Sequence, residues 1–348
     1  MSKIEKLLEL YRVSEERLRE QINSLEESSA KTAVADLLLQ VQEIINELTS
    51  KAGETTSSIV SESYRQGSRE AISSMVSQGI GVKSIQKSLK GVIHIKAVQA
   101  ILDEAFYSIL ECSNHMATDV KQRIQDIVKN ANQRSIIEGV SRRQATKDAI
   151  AEAKQSGITG MIAKNGTRIP AEKYMANVIQ YHQRKAHVEG SINRMIDNNQ
   201  DLVYVNYVGI TCEHCAKYQG RVYSLSGKDK RFPRLETRPP YHSHCVHSTS
   251  PWIEEYMDEG ELKQALKDSN RPFIDNRTEE HIREYERLQR EKSKQNETRK
   301  QWIRYKSRMP DLPDLKTFAS QKARNTKKYQ EWMEDFRKFG IEIKKRGG

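Results

Sequence analysis

Apolar residues recur at helical spacing from the start of the chain. Ile4, Leu8, Tyr11, Leu18, Ile22 and Leu25 alternate steps of three and four, interrupted only at Glu15. This predicts one helix of about six turns with a single apolar seam. Val34, Leu38, Val41, Ile45 and Leu48 predict a second helix with its own apolar face. The two faces read as a packed pair, with a seam for a partner helix as the alternative. KAGETTSS at 51–58 gathers Gly and small polar residues and predicts a break. From 59 to 160 helical patterning continues without a proline, interrupted at SQGIGVKS and near SGITG.

The pattern then changes. In GMIAKNGTRIPAEKY, Asn165-Gly166 lies between short apolar-polar alternations, which predicts a β-hairpin. Pro170 suits the first turn of a following helix carrying Tyr174, Val178, Tyr181 and Val188. DLVYVNYVGI at 201–210, rich in Val and Tyr, predicts a strand. From Thr278 to Arg308 charges dominate and apolar residues are few, the pattern of an exposed helix laced by its own ion pairs. MPDLPDL stops that helix. A last one sets Tyr329, Met333, Phe336 and Phe339 near one face, and KKRGG is a fraying end. The expected fold class is mainly α with a small β-rich zinc-binding module (α+β), between long N-terminal helices and charged C-terminal helices. The expected segments are 1–55 (helical hairpin or coiled-coil-like), 56–160 (helical), 161–255 (α+β with the Cys/His site) and 256–348 (basic helical).

Composition supports this reading. Of 348 residues, 36% are apolar, 30% charged and 7% aromatic, which suits a helical protein with much solvated surface better than one large core. No apolar run approaches the ~18 residues of a membrane span, and the N-terminus has no signal-peptide core. Synthesis in a cytoplasm, with no membrane span, is the expectation. Net charge is +11 but uneven: residues 1–50 hold 6 Lys/Arg against 10 Asp/Glu, whereas 276–348 hold 21 against 12, a net of +9. That tail can meet a polyanion, or it can be a solvated helix rich in ion pairs. Arg299, Lys300, Arg304, Lys306 and Arg308 are its densest group.

Three of the four cysteines and four of the nine histidines fall in TCEHCAKYQGRVYSL (211–225) and PPYHSHCVHSTSPW (239–252). Cys212 and Cys215 have the spacing at which a tight turn aims two thiolates at one ion. Cys245 follows about 30 residues later, flanked by His242 and His247, so two pairs of N/S ligands can close a tetrahedral zinc site. Spacing leaves the fourth ligand open between His242 and His247. A redox C-x-x-C pair is the weaker reading, because no alternating β-α pattern surrounds it. A catalytic zinc needs an open position and a carboxylate nearby; Glu213, His214 and His244 are the spare groups. GRVYSLSGKDKRFP between the pairs reads as a short β-hairpin or loop. Cys112, within a helical pattern, reads as an ordinary buried thiol.

These same residues resemble the C-terminal signature of tailed-phage minor capsid proteins, the head morphogenesis or Mu-type minor head family. That signature is a C-x-x-C, a Gly-containing hairpin, then Pro-Pro-x-His-Pro-x-Cys-Arg-Cys or -His and a later Pro. It falls here on Cys212, Cys215, Gly220, Pro239, Pro240, His242, Cys245, His247 and Pro251. GITGMIAKNGTRIPAEKYMANVI resembles the hairpin that leads into the family's Tyr-containing helix. Ser243-His244 replace the family's residues before the third cysteine, and Val246 replaces its Arg. The family's Cys-or-His last position favours His247 as fourth ligand, with His242 close behind. The resemblance implies a non-enzymatic virion component, made in a bacterial host cytoplasm and located inside the head near the portal, with a structural zinc. It also implies portal protein or the inner capsid surface as partner, packaged double-stranded DNA reached through the basic C-terminal helices, and no small-molecule substrate. A metal-dependent nuclease or other DNA-processing enzyme of phage heads is the alternative.

Overall fold

A computed structural model describes residues 2–25, 31–85, 87, 89, 91–137, 139–153, 157–306, 309 and 311–346. In chain order the elements are α1 (Lys3–Ser24), α2 (Lys31–Ser77), α3 (Val92–Ile137), α4 (Arg142–Ala153), β1 (Thr159–Ile162), β2 (Arg168–Pro170) and α5 (Ala171–Asp197). They continue with β3 (Leu202–Val205), α6 (Glu213–Ala216), β4 (Arg221–Ser224), β5 (Thr249–Pro251), α7 (Glu259–Ser269), α8 (Glu279–Lys306), α9 (Leu315–Ala323) and α10 (Lys327–Arg346). The protein is therefore mainly α with a small antiparallel β part, as the patterning predicts. No helix among the described residues is long and apolar enough to cross a membrane. Two compact units form, neither contiguous in sequence: residues 1–11, 48–112 and 172–286, and residues 12–47, 113–171 and 287–348.

One expectation fails instructively. The helix does not break at 51–58; α2 runs through it. Ala52 and Thr56 are buried, and Gly53 sits beside the Phe106 ring. The small residues that resemble a breaker are the face that lets a neighbouring helix approach. The seam of α1 also differs in register: Leu7 and Tyr11 are buried where Leu8 is half-buried, and Ser14 fills the step where Glu15 interrupted the pattern.

In the first unit α2 and α5 touch through their backbones. A Cβ on Gly67 would lie 1.9 Å from the His187 carbonyl oxygen, and one on Gly190 would lie 2.1 Å from that of Tyr64. Beside this crossing is a buried polar network. Tyr64 Oη meets His94 Nδ1 at 2.7 Å and His94 Nε2 meets Asp197 at 2.5 Å, while Asn193 donates to the Tyr64 hydroxyl at 2.9 Å. Arg194 donates to Ser68 Oγ, Asp197 and the Lys87 carbonyl. Ala71, Val188, Ile192 and Met195 then pack on Val203, Val205 and Tyr223, so the helix pair carries the sheet. That sheet has the order β4-β3-β5, antiparallel throughout, with Val203 opposite both Tyr223 and Pro251. The predicted strand is β3, but only its first half is extended; 206–210 turns away toward Cys212. Of the segment read as a short hairpin or loop between the Cys/His pairs, the start supplies the edge strand β4 and the rest is loop.

In the second unit the predicted Asn-Gly hairpin forms as β1–β2, with Gly166 at φ +78° in its turn. Buried Asp119 fixes it to α3 by accepting from Thr159 N (3.0 Å), Arg168 (3.0 Å) and Arg123 (2.8 Å). Pro170 ends β2 and α5 starts one residue later. The C-terminal helices build their own core from Tyr305, Leu312, Phe318 and Tyr329, backed by Trp302, Trp332, Met333 and Phe336. The aromatics of the basic tail are thus helix-packing residues. α8 carries the expected ion pairs, Arg283–Glu279, Arg287–Glu291 and Lys300–Glu297. The Phe339 side chain and Arg308 lie outside the described residues.

The crossing makes a paired prediction. Gly67→Ala should lower stability in urea unfolding by about 1–3 kcal/mol, the usual cost of forcing atoms into a packed contact. Gly53→Ala in the same helix, where a Cβ meets only Phe106 at 3.7 Å, should raise it by roughly 0.5–1 kcal/mol through helix propensity. Equal effects at the two sites would refute the crossing.

Candidate metal centre

The knuckle starts where β3 ends. Cys212 caps the single turn α6, its sulfur accepting from the Cys215 backbone N–H at 3.4 Å. This puts two sulfurs on one side of the turn, as their spacing requires. The second arm returns through Pro239 and Pro240 to a turn closed by Cys245 N donating to the His242 carbonyl at 2.9 Å. β5 then begins at Thr249, so the two arms approach the same end of the sheet from its two edge strands.

All five residues singled out in the sequence come together. Cys215 and His247 have no exposed surface, Cys245 is 3% exposed, and Cys212 and His242 are half-buried. His242 Nε2 lies 3.1 Å from Cys215 Sγ and 3.3 Å from Cys212 Sγ. Cys215 Sγ and Cys245 Sγ are 3.9 Å apart, and His247 Nδ1 is 3.5 Å from Cys245 Sγ. Two overlapping groups result, Cys212–Cys215–His242 and Cys215–Cys245–His247, each with donor atoms within 4.8 Å of one another. Tetrahedral zinc bonds imply S···S of about 3.8 Å and S···N of about 3.5 Å, and the Cys215–Cys245 and Cys245–His247 separations match two such ligand pairs. Cys112 is elsewhere, buried in α3, with burial pushing its thiol pKa well up, as expected of an inert core thiol.

The two imidazoles differ in their outer partners. His242 Nδ1 accepts the His244 backbone N–H at 3.2 Å, and burial lowers its pKa, keeping the ring neutral. Its proton therefore resides on Nε2, aimed at the two sulfurs. His247 is the reverse. Gln219 Oε1 accepts from Val208 N (2.9 Å) and Gly209 N (3.3 Å) and lies 3.2 Å from His247 Nε2. The two backbone N–H donors identify this atom as the amide oxygen, which has no proton to give, so its contact with His247 places the proton on Nε2 and the Nδ1 lone pair faces Cys245. The hydrogen bond from the Cys215 thiol lowers the Cys245 pKa and raises that of Cys215. The Nδ1 lone pair and the Cys245 sulfur thus face each other at 3.5 Å, the polarity of a cation site.

Of the spare groups, Glu213 is exposed and pairs with Lys217 at 3.5 Å. His214 packs edge-on against Tyr218 and Tyr241. No pattern in the sequence marks Gln219, nor Arg221, Arg271, Asn276 and Arg277, which bond main-chain carbonyls around the knuckle.

Searches of curated proteins and of solved structures find no match. A family model, described as phage minor capsid protein 2, matches residues 30–338, which takes in both arms of the knuckle and most of the helices. Matched over nearly its whole length, the chain belongs to the phage minor capsid protein 2 family.

Proposed function

We propose that the chain is a structural component inside the phage head near the portal, and that its Cys/His knuckle is a structural zinc site. Family membership carries the coarser part, a capsid role among other head components. The observation that supports the finer part is that two donor groups sharing Cys215, Cys212–Cys215–His242 and Cys215–Cys245–His247, meet at the end of the β4-β3-β5 sheet. Cys212, Cys215, Cys245 and His247 Nδ1 would hold the ion. His242 would donate its Nε2–H to the sulfurs as an outer hydrogen bond. Bound there, the ion supplies a cross-link between the two edge strands. Three thiolates argue for zinc over hard cations.

Contact with packaged DNA is assigned to the C-terminal helices. Their aromatic core makes them a folded surface, and Lys316, Lys327, Lys328 and Arg337 on α9 and α10 and Arg324 just after α9 are exposed. The α8 group noted in the sequence is partly spent internally, since Lys300 pairs with Glu297 and Lys306 donates to the Leu312 carbonyl. Rings buried in a core cannot stack on bases, so the binding expected is to phosphate and independent of sequence.

Four measurements test this reading. Protein purified without added metal should contain about one zinc per chain; Cys212→Ser should lose it and Cys112→Ser keep it. With cobalt as probe, His242→Ala should retain the tetrahedral absorption that His247→Ala abolishes, and the reverse would exchange the two roles. The chain should appear in mass spectra of purified particles alongside the portal, and its consistent absence would end the virion reading. Full-length protein should shift duplex DNA at about 50 mM salt and bind at least about a thousandfold more weakly at 200 mM, while a chain ending at Thr278 should not bind at either.

A further inference from the structure

The segment after α7 is laced to the knuckle in both directions. Going outward, Arg221 is fully buried, and its donors are taken up by main-chain carbonyls. Its guanidinium donates to the carbonyls of Ser269 (3.0 Å), Arg271 (2.7 Å) and Pro272 (2.8 Å), and the Phe273 ring covers it at 4.1 Å. Coming back, Arg271 donates to the Gln219 carbonyl at 2.7 Å and Arg277 to the Thr211 carbonyl at 2.9 Å. Asn276, oriented to satisfy both its neighbours, donates to the Ala216 carbonyl at 3.1 Å and accepts from Arg271. The three carbonyls taken are those before Cys212, after Cys215 and at Gln219, the residue that orients His247.

This lacing has an electrostatic reason. Three thiolates and a neutral imidazole around a dication leave one net negative charge in a half-buried place. Arg271 and Arg277 reach the main chain that carries those thiolates, and Arg277, itself only 8% exposed, is held by Asp275 at 2.6 Å. The segment buries little apolar surface: Phe273 and Ile274 are 47% and 62% exposed. Hydrophobic burial therefore does not hold it down; hydrogen bonds to knuckle carbonyls do, and those carbonyls keep their positions only while the knuckle is closed.

We infer that residues 269–277 are an outer strap of the metal site, with Arg271, Asn276 and Arg277 as positioning residues, so that metal occupancy and strap docking are one coupled equilibrium. This rests on the metal reading above. The chain runs from the strap directly into α8, so loss of the ion releases the root of the C-terminal helices.

Hydrogen exchange of the full-length protein, zinc-loaded and after chelation, tests the coupling. Peptides covering 211–221 and 268–278 should lose protection together, by about tenfold or more, and regain it when zinc is restored. Arg277→Gln should weaken zinc retention against a competing chelator by about 10–100-fold, the usual effect of an outer-shell partner. It should lower the melting temperature of the zinc-loaded protein only, because in the metal-free protein the strap is already free. If 268–278 stays protected while 211–221 opens, or if Arg277→Gln destabilises both forms equally, the strap is ordinary packing and the inference falls. Wild-type protein that binds no zinc would remove the metal reading and this inference together, whereas zinc bound with an indifferent strap removes only the latter.

Discussion

Where α2 crosses α5 main chain meets main chain, and no side chain larger than hydrogen fits at Gly67 or Gly190. The first unit is organised around that contact. It sets the spacing at which Ala71, Val188, Ile192 and Met195 present one apolar surface to β3. β3, placed by that surface, has its two edges filled by β4 and β5. Because Cys215 leads into β4 and His247 into β5, the crossing determines where two arms more than twenty residues apart in the chain come together. The polar network at the crossing serves the same end, tying Tyr64 on α2 and His94 on α3 to Asp197 at the end of α5. Buried polar groups of this kind are tolerated when each finds a partner, and here each one named does.

The knuckle depends on main-chain carbonyls and amides as much as on side chains. Gln219 collects two amides and an imidazole on one oxygen. Arg221 gathers carbonyls at the end of α7, where the helix macrodipole favours a cation. A buried guanidinium is costly unless its donors are filled, which is why the neighbouring segment must stay in place.

This division explains what the sequence revealed. The helices, the Asn-Gly hairpin and β3 follow from periodicity and propensity, which are local. The Cys/His donors were legible because few other structures place those residue types at those intervals. Ala52, Gly53 and Thr56 were misread because a sequence cannot tell a small residue that breaks a helix from one that admits another helix. Gln219, Arg271, Asn276 and Arg277 were not legible for a different reason. Their partners are carbonyls, which every residue carries, so nothing in the sequence marks the pairing. β5 was missed because three residues ending in proline look like a loop until an edge strand is needed.

The aromatic cluster of the last three helices draws every member from residues 302–336. Its closure joins positions at most a few tens of residues apart, so the loop entropy to be overcome is small and contacts form early. The sheet of the first unit must wait for α2 and α5, which lie more than a hundred positions apart. A cluster synthesised after every strand of that sheet is therefore the one that reaches its final form faster. Its apolar rings spend little time exposed while the slower assembly, with its free thiols and unpaired strand edges, is still finding its register.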